Sequence, residues 1–123
     1  MTKFLSILNK LKDFGEIEHK TIRKETIKIL KNQNLDFFDY GFGYFYQSIN
    51  QIKVSGLRNT KKRCDCYELD KYVTNAKQIL DIGSNTGSII FEIFKEDKKF
   101  TGIEYNKTLI QISKKVQEYL NFK

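Results

Sequence analysis

The sequence contains no proline and no tryptophan, and its 123 residues include only two cysteines and one histidine. The two cysteines form a single Cys-x-Cys pair, Cys64 and Cys66, which cannot supply the four ligands of a structural zinc site. A disulfide between such near neighbours would close a very small loop and add little stability. We therefore expect two reduced thiols and no metal, as in a cytoplasmic protein.

Long apolar runs are also missing from the sequence. No stretch approaches the roughly 18 apolar residues that a membrane-spanning helix needs. The apolar stretch at the N-terminus breaks at Asn9, so it is too short for the core of a signal peptide. With 40% hydrophobic and 30% charged residues, the composition predicts a small folded domain, and we expect a cytoplasmic protein without a membrane partner.

The net charge of +7 lies almost entirely in the first part of the chain. Residues 1–77 carry 15 basic and nine acidic side chains, whereas residues 78–123 carry seven and six. Only three of the 22 basic residues are arginines, the residue type that best grips phosphate or guanine through two hydrogen bonds. We interpret the lysines as a solvated surface and keep nucleic-acid binding as an alternative.

The first part of the chain is predicted to be mainly helical. Residues 2–14 and 16–31 carry apolar side chains at helical spacing, and His19 on the second helix is interpreted as a surface residue. Seven of the ten residues in 37–46 are aromatic, which favours core packing, with a stacking surface for a planar ligand as the alternative. Residues 56–63 read as a basic link, and a short helix is expected over 65–73.

The pattern changes at residue 78. Residues 78–82 predict a short buried strand, 83–87 a glycine-rich turn, and 100–104 a second strand. Apolar residues at helical spacing predict a helix after the turn and another after the second strand, the latter capped by Asn106. These residues are Ile89, Ile90, Ile93 and Phe94, then Leu109, Ile112, Val116 and Leu120. This alternation is typical of a parallel sheet with right-handed crossovers.

The glycine-rich turn and an acidic residue together predict a binding site. A strand that enters a helix through glycines exposes backbone N–H groups, and Gly83 and Gly87 let a ligand approach the chain closely. Glu104 follows Gly83 by 21 residues, at the end of the next strand, where a carboxylate can accept hydrogen bonds from a ribose diol. The two features predict a nucleoside-type cofactor across two strand ends.

The spacing of the glycines distinguishes between cofactors. Asn85 stands where the dinucleotide fingerprint Gly-x-Gly-x-x-Gly has its second glycine, so an NAD-linked oxidoreductase is only an alternative. Residues 79–87, ILDIGSNTG, resemble the first motif of class I S-adenosylmethionine-dependent methyltransferases, and residues 102–106, GIEYN, resemble their second motif. The resemblance covers about residues 76–120.

The resemblance implies a role for seven residues. Asp81 would lie near the amino group of the methionine portion of S-adenosylmethionine, Glu104 would hold the ribose hydroxyls, and Tyr105 would lie against the adenine. Four residues of the turn would frame the methionine portion through backbone donors: Gly83, Ser84, Asn85 and Gly87. Catalytic residues are not identified, because substrate-facing residues of this family usually follow a fourth strand.

The resemblance also implies an α/β fold with a partial Rossmann-like parallel sheet. Residues 1–75 would be a helical N-terminal extension, and residues 76–123 the N-terminal part of a truncated cofactor-binding domain. Exposed strand edges would favour self-association or a second subunit. The expected function is methyl transfer to an unidentified acceptor by this chain or by a longer enzyme that contains it. A non-catalytic nucleoside-cofactor-binding module is the other alternative.

Overall fold

The computed structural model describes residues 19–32 and 45–121, which form five α-helices, one short 3₁₀ helix (Asn50–Ile52) and four strands. Four of the helices are α1 (Lys20–Asn32), α2 (Thr60–Cys66), α3 (Leu69–Thr74) and α4 (Ser88–Ile93), and the fifth is α5 (Lys107–Leu120). The strands are β1 (Phe45–Gln47), β2 (Gly56–Arg58), β3 (Gln78–Ile82) and β4 (Lys99–Ile103). The predicted helix over residues 2–14 and most of the aromatic segment 37–46 lie outside the described residues.

The described strands form two separate two-stranded sheets, and both are parallel. β3 pairs with β4 over all five residues, from Gln78 opposite Lys99 to Ile82 opposite Ile103. β1 pairs with β2 over a shorter stretch that begins with Phe45 opposite Gly56. The expectation of mixed helices and parallel strands is therefore confirmed, within sheets smaller than that of a complete Rossmann-like fold.

The elements after residue 77 follow the prediction closely. β3 has the predicted bounds, and β4 begins and ends one residue earlier than expected. Asn106 caps α5 through its side-chain oxygen, which accepts hydrogen bonds from the backbone N–H groups of Thr108 at 3.0 Å and Leu109 at 3.2 Å. The predicted apolar face of α5 packs against the core, where Ile112 and Val116 are fully buried.

The predicted basic link over residues 56–63 is wrong, because these residues form β2 and the start of α2. Gly56 permits the β1–β2 pairing, since a Cβ there would lie 2.5 Å from the carbonyl carbon of Gln47. Asn59 caps α2 by accepting a 2.9 Å hydrogen bond from the backbone N–H of Lys62. Three-residue strands are too short to produce a periodic sequence signal.

The single helix predicted over residues 65–73 is also wrong, since two helices, α2 and α3, occupy this region. They are separated at Tyr67 and Glu68, and Glu68 has a left-handed backbone with φ +52°. Glycine or asparagine normally takes this conformation at a helix end, so a glutamate there gives no stop signal in the sequence.

Two clusters of buried apolar side chains form the core. The first joins α1, residues 45–54, Phe91 and α5, and therefore includes residues from both sides of the predicted boundary at residue 76. The second lies between α2, α3 and α4, with Ile79 and Phe100 packed against it. The buried members of the first are Ile22, Leu30, Phe45, Ile49, Ile52, Val54, Phe91, Ile112 and Val116, and those of the second are Cys64, Val73 and Ile93.

Helices α1 and α5 pack against each other. Glu25 on α1 forms a 3.2 Å ion pair with Lys115 on α5. At the other end, His19 Nδ1 lies 2.7 Å from the hydroxyl of Tyr119, in an exposed position. The histidine that we expected at the surface thus joins the two helices.

One face of the β3–β4 sheet is exposed. Leu80, Ile82 and Ile103 are exposed to 57%, 77% and 52%, whereas Ile79 and Phe100 on the opposite face pack against the helices. In the described part of the chain, β4 is the only strand that pairs with β3, so the other edge of β3 has no partner strand there.

A helix with the length and apolarity to span a membrane is not found among the described residues.

Candidate cofactor site

The turn between β3 and α4 depends on three left-handed residues. Gly83, Asn85 and Gly87 have φ values of +72°, +54° and +82°. Glycine adopts this conformation without a steric penalty, and asparagine tolerates it better than most residues. At Gly87 the space is also limited, because a Cβ would lie 2.7 Å from the hydroxyl oxygen of Ser113. The residue types of the turn therefore suit its backbone.

The end of β4 holds the start of this turn in place. The carbonyl oxygen of Ile103 accepts hydrogen bonds from the backbone N–H groups of both Gly83, at 2.7 Å, and Ser84, at 2.9 Å. Ser84 packs directly over Gly102, where a Cβ would come within 2.9 Å of the serine Cβ. The absence of a side chain at Gly102 thus allows the turn to lie against the neighbouring strand.

Glu104 connects the turn to the segment that follows β4. Its Oε1 accepts a 2.8 Å hydrogen bond from the backbone N–H of Asn85, and its Oε2 accepts one of 3.0 Å from the backbone N–H of Asn106. The predicted glycine-rich turn and the predicted acid therefore lie in direct contact. Each carboxylate oxygen keeps acceptor capacity beyond the one bond that it makes here.

The backbone donors of the turn are already used within the protein. In addition to the bonds of residues 83–85, the N–H of Thr86 donates to Asn85 Oδ1 at 2.8 Å. The N–H of Gly87 donates to the carbonyl of Ser84, also at 2.8 Å. The carbonyl oxygen of Gly83, an exposed residue, accepts no hydrogen bond from any described residue. The turn therefore offers a ligand one hydrogen-bond acceptor, the carbonyl oxygen of Gly83.

Asp81 is half-buried in β3, and its Oδ2 atom is buried without a hydrogen-bond partner among the described residues. Burial raises the pKa of Asp81, the positive charge of Arg63 lowers it, and the negative charge of Glu104 raises it. Arg63 on α2 has a matching feature, because its Nη1 is also buried without a partner. The guanidinium carbon of Arg63 lies 5.7 Å from the centre of the Tyr46 ring.

The predicted site residues line two separate cavities. Ser84, Asn85, Gly87 and Glu104 line a cavity of about 390 Å³ between α4, β4 and α5. Asp81 lines a groove of about 470 Å³ beside β3, whose walls include Tyr67 and Tyr72 on the α2–α3 side. Both volumes lie in the range of small-molecule sites.

The two remaining predicted residues line neither cavity. Gly83 is exposed, and the side chain of Tyr105 is 88% exposed. Tyr105 therefore presents its ring to solvent beside the end of β4.

Two buried polar groups were not predicted from the sequence as part of the cofactor site. Arg63 precedes Asp81 by 18 residues, and no local pattern links them. The hydroxyl of Thr86 is buried without a hydrogen-bond partner among the described residues, although serine and threonine are ordinary turn residues.

Within residues 19–32 and 45–121, no group of three or more His, Cys, Asp or Glu side chains could hold a metal ion.

Comparison of the chain with protein-family models, curated proteins and solved structures finds no match.

Proposed function

We propose that this chain binds S-adenosylmethionine and acts as a methyltransferase, by itself or as the N-terminal part of a longer enzyme. The observation that carries the proposal is the 2.8 Å hydrogen bond between the backbone N–H of Asn85 and Glu104, which unites the two motifs that suggested the cofactor. A turn and an acid that were far apart would offer no common site for a nucleoside.

Four of the seven candidate residues have a distinct role in this proposal. Glu104, fixed by two backbone bonds, holds the ribose hydroxyls with its remaining lone pairs. The Gly83 carbonyl and the Asp81 carboxylate attract the ammonium group of the methionine portion, and the exposed ring of Tyr105 covers the adenine. When bound, the cofactor supplies an electrophilic methyl group, and the protein contributes orientation and exclusion of water.

A protein partner and a cytoplasmic location are part of the same proposal. Among the described residues, the apolar side chains of one face of β3 and β4 are exposed and the second edge of β3 has no partner strand, which favours contact with a second copy or another subunit. Free thiols at Cys64 and Cys66 suit a reducing compartment, so we place the protein in the cytoplasm. Sedimentation velocity over a range of concentrations tests the association.

Isothermal titration calorimetry tests the proposed cofactor. We expect the wild-type protein to bind S-adenosylmethionine and S-adenosylhomocysteine more tightly than NAD⁺. Glu104→Gln should weaken binding about 10- to 100-fold, because hydrogen bonds to charged groups contribute roughly 1.5–3 kcal/mol. Glu118→Gln is the matched control, since Glu118 is an exposed carboxylate on α5.

Four results would contradict the proposal. They are absence of binding to either adenosyl ligand, equal affinity in the wild type and Glu104→Gln, tighter binding of NAD⁺, and cofactor-independent RNA binding with a steep salt dependence. Binding of the cofactor with no methylation by any form of the protein would instead favour a non-catalytic module.

A further inference from the structure

The cavity of about 390 Å³ between α4, β4 and α5 includes a part to which the proposed cofactor gives no role. Asn85 and Glu104 meet at one end of the cavity. From that end the lining continues along α4 to Phe94, and along α5 from Ile110 to Gln117, a helical length of about 10 Å. We call the part lined by α4, Phe100 and this stretch of α5 the α4–α5 cleft.

The side of the cleft formed by α4 and β4 is apolar. Ile90, Phe94 and Phe100 line it and are each half-buried, and Phe91 beside them is buried. The rings of Phe94 and Phe100 lie with their centroids 5.4 Å apart and are tilted by 36°. Because large apolar side chains around one cavity lose contact with water when an apolar group enters, this side favours a hydrocarbon ligand.

The side of the cleft formed by α5 is mostly polar. Ile112 and Val116 belong to the stripe of α5 that is fully buried in the core, whereas a second stripe lines the cleft and includes Ser113, Lys114 and Gln117. A helix that covers a sheet normally turns apolar residues toward it. The polar residues of the second stripe are therefore placed to contact a polar group of a ligand.

Lys114 gives the cleft a positive charge. It forms no ion pair with another described residue, whereas the adjacent Lys115 pairs with Glu25. Glu104 is the other charged residue among the described residues that line the cavity, and two backbone bonds hold its carboxylate at the turn end. An anionic group in the cavity is therefore attracted to Lys114 and repelled from Glu104.

A ligand that matches both sides of the cleft carries a hydrocarbon part and one negative charge. We propose that the α4–α5 cleft binds an apolar monocarboxylate, with its hydrocarbon against Phe94 and Phe100 and its carboxylate beside Lys114. A neutral apolar molecule would leave Lys114 without a counter-charge, and a short carboxylate would leave the apolar side in water. The inference goes beyond the proposed function and does not require a bound cofactor.

Isothermal titration calorimetry of the wild type with three probes tests the ligand class. Decanoate carries both the chain and the charge, decan-1-ol carries the chain alone, and acetate carries the charge alone. We expect decanoate to bind about two- to fivefold more tightly than decan-1-ol, as one exposed ion pair allows. Acetate should bind about 100-fold or more weakly than decanoate. A merely exposed apolar surface would prefer the alcohol, because an ionised carboxylate is the costlier group to remove from water.

Two pairs of variants test the location of the site. Lys114→Gln should remove the preference for decanoate and leave decan-1-ol binding within about twofold, whereas Lys107→Gln, an exposed lysine of α5 outside the cavity lining, should bind as the wild type does. Ile110→Phe narrows the cleft and should weaken both probes. Its control is Ile82→Gln, on the exposed face of the β3–β4 sheet, which should weaken neither. Circular dichroism confirms that each variant is folded.

The inference is overturned if the wild type binds neither long-chain probe, if it prefers decan-1-ol, or if Lys114→Gln keeps the preference for decanoate. Weaker binding in Ile82→Gln than in Ile110→Phe would also overturn it, because the exposed face of the sheet would then be the site. Amide chemical shifts of the wild type need no substitution, so they decide the location even if Ile110→Phe fails to fold. Shifts within residues 90–94 and 110–117 support the cleft, and shifts confined to residues 78–82 contradict it.

Discussion

The backbone N–H of Asn85 donates a 2.8 Å hydrogen bond to Oε1 of Glu104, 19 residues further along the chain. Because Oε2 of the same carboxylate accepts from Asn106, one side chain holds both the turn after β3 and the start of α5. Glu104 is therefore a structural part of the candidate site as well as its proposed ligand-binding acid.

Removal of this carboxylate should destabilise the protein in the absence of any ligand. Glu104→Ala leaves two partly buried backbone N–H groups without their acceptor, and we expect a loss of about 1–3 kcal/mol in the free energy of unfolding. Urea denaturation measures it. Glu118→Ala serves as the control, and equal midpoints for the two variants would show that the bonds of Glu104 contribute no stability.

Alanine substitution in the turn should have different effects at its two glycines. Gly83→Ala meets no atom within 4 Å and adds only the strain of a left-handed alanine, about 1–2 kcal/mol. Gly87→Ala adds the same strain and also contacts Ser113 Oγ at 2.7 Å and the Phe91 ring at 3.2 Å, so we expect a larger loss. Urea denaturation of both variants checks the order, and a smaller loss at Gly87 would refute it.

Asp81→Asn should stabilise the ligand-free protein at neutral pH. Burial raises the pKa of Asp81 above its unfolded value, although Arg63 opposes this shift and Glu104 adds to it. The stability associated with Asp81 is therefore present below the unfolded pKa and is lost as the pH rises through the folded pKa.

The unfolding free energy of Asp81→Asn should accordingly exceed that of the wild type at pH 7, and the difference should shrink as the pH falls below about 4, the ordinary aspartate pKa. Thermal or urea unfolding at several pH values measures the difference. The same variant should bind S-adenosylhomocysteine more weakly. A variant that is both less stable at pH 7 and unchanged in affinity would contradict both parts.

The two thiols should react at different rates. Cys66 is exposed, whereas Cys64 is buried and its pKa is raised mainly by that burial. Because the thiolate is the reactive form, dithiobisnitrobenzoate at pH 8 should modify one thiol per folded chain rapidly and the second only on unfolding. Cys66→Ser should remove the rapid phase, and a rapid phase of unchanged amplitude in that variant would contradict the assignment.

The second half of the described chain was predictable because its signals are local. Residues 78–82 are mostly apolar, glycines interrupt the chain at 83 and 87, and Asn106 is a standard helix cap. These features specify each element without reference to distant residues, and the predicted meeting of the turn with Glu104 followed from the parallel arrangement of the two strands.

The parts that were not predicted depend on contacts between distant residues. The β1–β2 pair requires a close approach between Gly56 and Gln47, and strands of three residues leave no periodic pattern. Burial of Arg63 Nη1 is likewise a property of the fold that composition does not reveal.

The carbonyl group of Ile103 has a consequence for biosynthesis. Since this single oxygen accepts from both Gly83 and Ser84, the turn reaches its final geometry only after the second strand has docked. Residue 103 is translated 20 residues after Gly83, so a nascent chain cannot complete the turn until the second strand has also emerged from the ribosome. The geometry of the candidate site is thus acquired in the same step that joins the two strands.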